Sequence, residues 1–159
     1  VVPEGVYPKV GAKIGDLLDP SKKMSKSAEN PAGTIFMDDD KDAIMRKFRR
    51  AVTDSDSEVR YDPENKPGVS NLLSIYTAFT GKSIEEAERQ FAGVGYGDFK
   101  TAVGEAVAET LRPVREQFDR YMADKAFLEE CYRKGAARAE AISQRTLDKV
   151  YKKIGFLAK

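Results

Sequence analysis

From Asp40 onward, apolar residues recur at helical spacing and each run carries its own start and stop signals, so the chain is constrained to a packed set of helices. In residues 40–53 Ile44, Met45, Phe48, Ala51 and Val52 share one face, with Arg46, Lys47, Arg49 and Arg50 spread over the rest. Asp38, Asp39 and Asp40 precede this run. Three adjacent carboxylates can attract a divalent cation, but a helix N-terminus wants the same residues as caps and as partners for its dipole. Capping is the preferred reading, and no protein-bound metal is expected. A second helix follows Pro67-Gly68, with Ser70 as its expected cap, Leu72, Leu73, Tyr76 and Phe79 inward, and Gly81 as its stop. Ser83-Ile84-Glu85-Glu86 has the spacing of a capping box.

Further along, Gly93-Val94-Gly95-Tyr96-Gly97 follows a helix and lacks the dinucleotide spacing, so it reads as a turn. From Asp98 to Met122 the apolar set runs through Phe99, Val103, Val107, Leu111, Val114, Phe118 and Tyr121, and Pro113 is expected to kink it. Asp124 caps a last helical stretch, which carries Leu128, Cys131, Tyr132, Ile142, Leu147, Val150 and Ile154 and stops at Gly155. The single cysteine cannot form an internal disulfide, which suits a reducing cytoplasm, and it is expected to be a small buried apolar residue. No apolar run approaches membrane-spanning length, so no membrane partner is expected. The net charge of +1 divides into +6 over residues 133–159 and −5 over the rest. Such a basic end suits either RNA or simply the helix dipole and water.

Ahead of Pro31 the chain is broken by Pro3, Gly5, Pro8, Gly11, Gly15 and Pro20 into short loop-like pieces. Here lies Lys23-Met24-Ser25-Lys26-Ser27, two lysines flanking a small hydroxyl residue, in a chain without histidine. The commonest general base is therefore missing, and the chemistry open to this loop is electrostatic stabilisation of phosphate charge.

The loop is embedded in a longer string. Pro8-Lys9-Val10-Gly11-Ala12-Lys13-Ile14 and Leu17-Leu18-Asp19-Pro20-Ser21-Lys22 precede it. Asn30-Pro31, Ala51-Val52-Thr53-Asp54-Ser55, Arg60-Tyr61-Asp62, Lys66-Pro67-Gly68-Val69-Ser70-Asn71-Leu72-Leu73, Gly95-Tyr96-Gly97 and Glu109-Thr110-Leu111-Arg112-Pro113 follow. In this order and at these distances they resemble the C-terminal half of the bacterial tryptophanyl-tRNA synthetases, class I aminoacyl-tRNA synthetases. The related tyrosyl enzymes share the lysine loop but not the downstream words.

The resemblance implies a mainly α fold: a helical bundle of anticodon-binding type, preceded by the C-terminal end of a Rossmann-type α/β nucleotide-binding domain. Residues 1–33 would close the catalytic domain with the KMSKS loop. Residues 34–159 would form the helical domain, its last helix packing back on the catalytic part. The implied activity is ATP-dependent activation of tryptophan and its transfer to tRNA for tryptophan, by a cytoplasmic homodimer using ATP with Mg2+ as the substrate complex. Lys26 and Lys23 would be catalytic. Ile14, Lys23, Met24, Ser25, Lys26 and Ser27 would contact ATP, and Arg46, Arg49 and Arg50 would contact tRNA. The family's His- and Gly-containing ATP element and its tryptophan pocket have no counterpart here, so the chain alone is expected to be inactive. The alternative is a stand-alone helical module that binds RNA or a protein partner.

Overall fold

The structure is a computed structural model that describes residues 2–6 and 11–157. Of the string above, Pro8, Lys9 and Val10 lie outside the described residues, as does Lys159 of the basic tail. Among the described residues five α-helices follow a 3-10 turn at Pro31–Gly33. They are α1 (Lys41–Arg50), α2 (Pro67–Thr80), α3 (Ile84–Gln90), α4 (Tyr96–Ala123) and α5 (Lys125–Ile154). Extended pairing among them is limited to one isolated antiparallel bridge, Gly15 to Lys23. None of these helices is long and apolar enough to cross a membrane.

The local signals act as their chemistry requires. Asp40 caps α1 by accepting the Ala43 amide at 2.6 Å. Asp39 instead accepts the Phe36 amide and pairs with Lys47. The capping box of α3 is complete: Ser83 Oγ accepts from Glu86, and the Glu86 carboxylate accepts the Ser83 amide at 2.8 Å. Gly81 ends α2 at a φ of 72°, in the left-handed region where a side chain is strained.

Two expectations about element ends are corrected. Helix α2 starts before Ser70, with Pro67 in its first turn and no side-chain cap. Proline presets the helical φ and has no amide needing a cap, so it opens the helix alone. Ser70 Oγ instead accepts the Asp62 amide at 2.8 Å. Val52 lies beyond α1 and is exposed, because the chain leaves the helix at Ala51.

Helix α4 runs unbroken through Pro113, although proline removes the donor for the Glu109 carbonyl. The chain divides into two compact units shortly after that proline, Val1–Arg115 and Glu116–Lys159. In the first unit Leu17, Ile44, Phe48, Val69, Leu72, Leu73, Phe99, Val103 and Val107 are fully buried. Leu17 thus brings the segment ahead of Pro31 into the same core as α1, α2 and α4. In the second unit α5 buries no residue. Cys131 is exposed, contrary to its expected burial. Val114 on the first unit's end of α4, and Phe118 and Tyr121 on the second unit's, are likewise exposed. An apolar face is buried only where a second surface meets it, and periodicity alone does not supply that surface.

Candidate functional site

The lysine loop grows from a short reversal. The Met24 amide donates to the Ile14 carbonyl and the Asp16 amide to the Lys22 carbonyl, both at 2.9 Å. The turn between them is closed by the Lys22 amide on the Asp19 carbonyl at 3.0 Å, with Pro20 in the position where its fixed φ is favoured. Lys22 is drawn back onto Asp19 at 3.0 Å. The Ser21 hydroxyl, and then Lys22, hold the Asp19 carboxyl below its ordinary range. Lys22 is therefore tied to the turn, in keeping with its place outside the motif.

Beyond the reversal, the Ala28 amide donates to the Ser25 carbonyl at 3.1 Å, and the Ser25 and Ser27 hydroxyls meet at 3.1 Å. Thr34 Oγ1 anchors the loop from behind by donating to the Ser25 carbonyl at 3.0 Å. The Leu17 amide donates to the Gly33 carbonyl at 2.9 Å, and the Asp16 carboxylate lies against Gly33. A Cβ on Gly33 would sit 2.0 Å from Asp16 Oδ1, so a larger residue there would push the Asp16 carboxylate off the Leu18 and Asp19 amides that it accepts. Lys23 and Lys26 are exposed and have no ion-pair partner among the described residues.

Lys23, Met24, Ser25 and Lys26 line a cavity of about 550 Å3 together with Ile14. Its other walls are mostly apolar and include Phe36, Phe48 and Phe79. The structure thus gathers five of the six residues expected at ATP. Ser27 stands beside them, bonded to Ser25, and does not line the cavity. Arg46, Arg49 and Arg50 lie on α1 and are exposed, away from this cavity. Arg46 and Arg50, one turn apart, border a separate recess of about 200 Å3. An apolar hollow with two unpaired ammonium groups on its wall can hold a flat apolar ring and neutralise phosphate beside it.

Sequence reading did not foresee the residues that hold the loop from outside, namely Asp16, Thr34, Asn71 and Lys66. The Val52 amide donates to the Leu17 carbonyl at 2.8 Å, linking the loop's base to the segment that follows α1. That segment is fastened by Lys66, which is only 4% exposed. Its ammonium reaches Asp56 at 2.8 Å, Asp54 at 3.3 Å and the Glu58 carbonyl at 3.2 Å. Tyr96 Oη donates to Asp54 at 2.7 Å. The bond to Asp56, opposed by desolvation and helped by Tyr96 and Asp54, raises the Lys66 pKa above its ordinary value. Burial pushes the Asp54 carboxyl up, but Tyr96 and Lys66 outweigh it and hold it low. Nearby, hydrogen bonds from Asn65, with Arg60 assisting, bring Asp62 down to about 2.

These carboxylates bind protons more weakly in the folded chain than in the unfolded one, so their stabilisation is complete above the unfolded value of about 4 and disappears as pH falls through the folded values. The thermal midpoint is therefore expected to be level from about pH 7 to about pH 5 and to drop below about pH 4. Asp54→Asn is expected to make that drop shallower. A drop of the same shape and depth in this variant would place the acid sensitivity elsewhere.

The profile of the family described as tRNA synthetases class I (W and Y) matches residues 2–112. The chain belongs to this family. Among curated relatives of this synthetase chain, the tryptophan–tRNA ligase of Mycobacterium leprae is 48% identical over 157 residues, covering 99% of the chain and 46% of the relative. That of Clostridium tetani is 46% identical over 156 residues, covering 98% and 46%. The chain spans about half the length of the curated relatives it matches. Among solved structures, the tryptophanyl-tRNA synthetase of Mycoplasma pneumoniae superposes with a TM-score of 0.73 at 33% identity, over 94% of this chain and 45% of that one. The Campylobacter jejuni enzyme, complexed with ADP and tryptophan, gives 0.72 at 28% identity, over 91% and 44%.

Proposed function

We propose that this chain is the C-terminal half of a tryptophan–tRNA ligase and that its lysine loop stabilises the phosphates of ATP during tryptophan activation. The observation that carries this reading is the pair Lys23 and Lys26, exposed, unpaired among the described residues and set with Ile14 and Met24 on one largely apolar cavity. In the reaction, a tryptophan carboxylate oxygen bonds to the α-phosphorus of Mg2+–ATP while the bond to the pyrophosphate oxygen breaks. Charge grows on the departing pyrophosphate, and catalysis of such a step is mainly positioning and electrostatics. Lys26 meets that charge and Lys23 holds the phosphates. The Ser25 and Ser27 hydroxyls donate hydrogen bonds. The Ile14 backbone meets the adenine, with Met24 packed beside it.

Transfer to tRNA for tryptophan then uses the helical part. Arg46, Arg49 and Arg50, exposed on neighbouring positions of α1, are its contacts to the phosphate backbone. Residues 1–33 form the end of a Rossmann-type catalytic domain and residues 34–159 the anticodon-binding domain. The exposed apolar side of α5, with Tyr132, Ile142 and Ile154, packs back on the catalytic half of the whole enzyme. The enzyme works as a cytoplasmic homodimer.

Tryptophan-dependent pyrophosphate exchange tests the reading. The full-length protein carrying this sequence is expected to exchange, and the 159-residue chain alone to be silent. Two lysines without the opposing half-site supply charge but no orientation of the carboxylate. A full-length protein that binds RNA yet never exchanges pyrophosphate would replace the ligase reading with that of an RNA-binding module.

A further inference from the structure

We infer that Asn71 is a positioning residue for the lysine loop, its side-chain amide standing in for a missing β-strand. The inference rests on the reading of that loop as the phosphate contact. Gly15 and Lys23 face each other as a non-hydrogen-bonded antiparallel pair, the two ladder bonds being made by the residues on either side, Ile14 to Met24 and Asp16 to Lys22. In such a pair the amide and carbonyl of Gly15 point to the opposite edge, where a third strand would meet them. No strand is there among the described residues. Asn71 Oδ1 accepts the Gly15 amide at 2.8 Å, and Asn71 Nδ2 donates to the Gly15 carbonyl at 2.9 Å. Among side chains, a primary amide presents an acceptor and a donor side by side as a peptide group does.

The clamp has a rigid base. Asn71 sits in the second turn of α2, between Val69 and Leu72-Leu73, all of them fully buried. Its approach to Gly15 is tight. A Cβ on residue 15 would lie 3.2 Å from Asn71 Oδ1 and 2.8 Å from the Pro20 carbonyl oxygen, so glycine is what permits the contact. Lys13 and Tyr61 share the recess beside the amide. The consequence runs along the chain: α2 fixes Asn71, Asn71 fixes Gly15, Gly15 is paired with Lys23, and Lys26 follows three residues on. A phosphate contact displaced by about 1 Å loses rate out of proportion to the stability lost.

The test uses Asn71→Asp and Asn71→Ala in the full-length enzyme. Asn71→Asp keeps shape and acceptor but turns a second oxygen onto the Gly15 carbonyl. Both variants are expected to lower kcat of pyrophosphate exchange about tenfold or more with KM for tryptophan unchanged. Trypsin is expected to cut at Lys23 and Lys26 several-fold faster than in the parent enzyme. Asn71→Asp, which keeps the packing, is expected to lose at least as much as Asn71→Ala, because its carboxylate turns an acceptor onto the Gly15 carbonyl in place of the donor. Wild-type kcat with unchanged loop cleavage in both variants would overturn the inference. So would a loss in Asn71→Ala that the isosteric Asn71→Asp does not share, which would reduce Asn71 to packing. Lys26→Ala in the same enzyme separates the two levels. If it leaves exchange untouched, the phosphate role of the loop fails, while the cleavage rates still decide whether Asn71 holds it.

Discussion

Lys26→Ala in the full-length enzyme is expected to slow tryptophanyl-adenylate formation about a hundredfold, equivalent to about 3 kcal/mol, with tryptophan affinity nearly unchanged. The magnitude follows from losing one preorganised charge at the point where negative charge develops on the leaving pyrophosphate. The ammonium of Lys26 is exposed and unpaired among the described residues, so nothing on this chain must be broken for it to engage a phosphate. A neighbour supplies the control. Lys22 is equally close in sequence, but its ammonium is bound to Asp19 at 3.0 Å and points its charge into the turn. Lys22→Ala is expected to stay within about threefold of the parent, as befits an exposed ion pair of small worth. Pre-steady-state adenylate formation and pyrophosphate exchange measure both. A change below about threefold for Lys26→Ala would remove its assignment to the departing pyrophosphate, whereas equal losses for both lysines would show that the loop acts through bulk charge and not through one placed contact.

What could be read from the sequence was set by the range of the interaction concerned. Asp40, the Ser83–Glu86 box, Gly81 and Gly155 act on backbone groups within a few residues of themselves, and each does in the structure what its local chemistry dictates. Ser70 misled because two local signals competed and the nearer proline won. The lysine loop was visible because its residue types are tied to one chemistry. Its supports were not. The Asn71 clamp joins positions 56 apart, and the Lys66–Tyr96 bond joins positions 30 apart. A lysine is expected at the surface unless its partners are known, and Asp54, Asp56 and Tyr96 assemble around Lys66 only once the chain has folded. The apolar stripe of α5 is a different case. Periodicity gave its face correctly as apolar, but burial depends on a second surface, and among the described residues of the second unit no residue of α5 is fully covered.

Phe99→Ala is expected to cost about 4–5 kcal/mol of stability, near the top of the range for removing a buried ring. Phe99 is fully buried, and its ring meets Phe91 edge-on at 4.9 Å, which in turn meets Tyr76 edge-on at 5.0 Å. This file of rings ties α4 to α2 through the residue that ends α3. Alanine forfeits the transfer energy of the ring, leaves a void that helices on every side resist closing, and removes an edge contact worth about 1 kcal/mol. Phe48 makes the instructive comparison. It too is fully buried, but one side of it borders the cavity of the lysine loop, where there is room for its neighbours to relax. Phe48→Ala is expected to cost less than Phe99→Ala yet to disturb pyrophosphate exchange. Phe99 does not line that cavity, so its variant, held well below its melting point, is expected to keep the parent kcat. Urea unfolding at constant m, read beside the exchange rate, separates the two effects. A cost for Phe99→Ala below about 2 kcal/mol would mean that the ring file is loosely packed and that the union of α2 and α4 rests on other contacts.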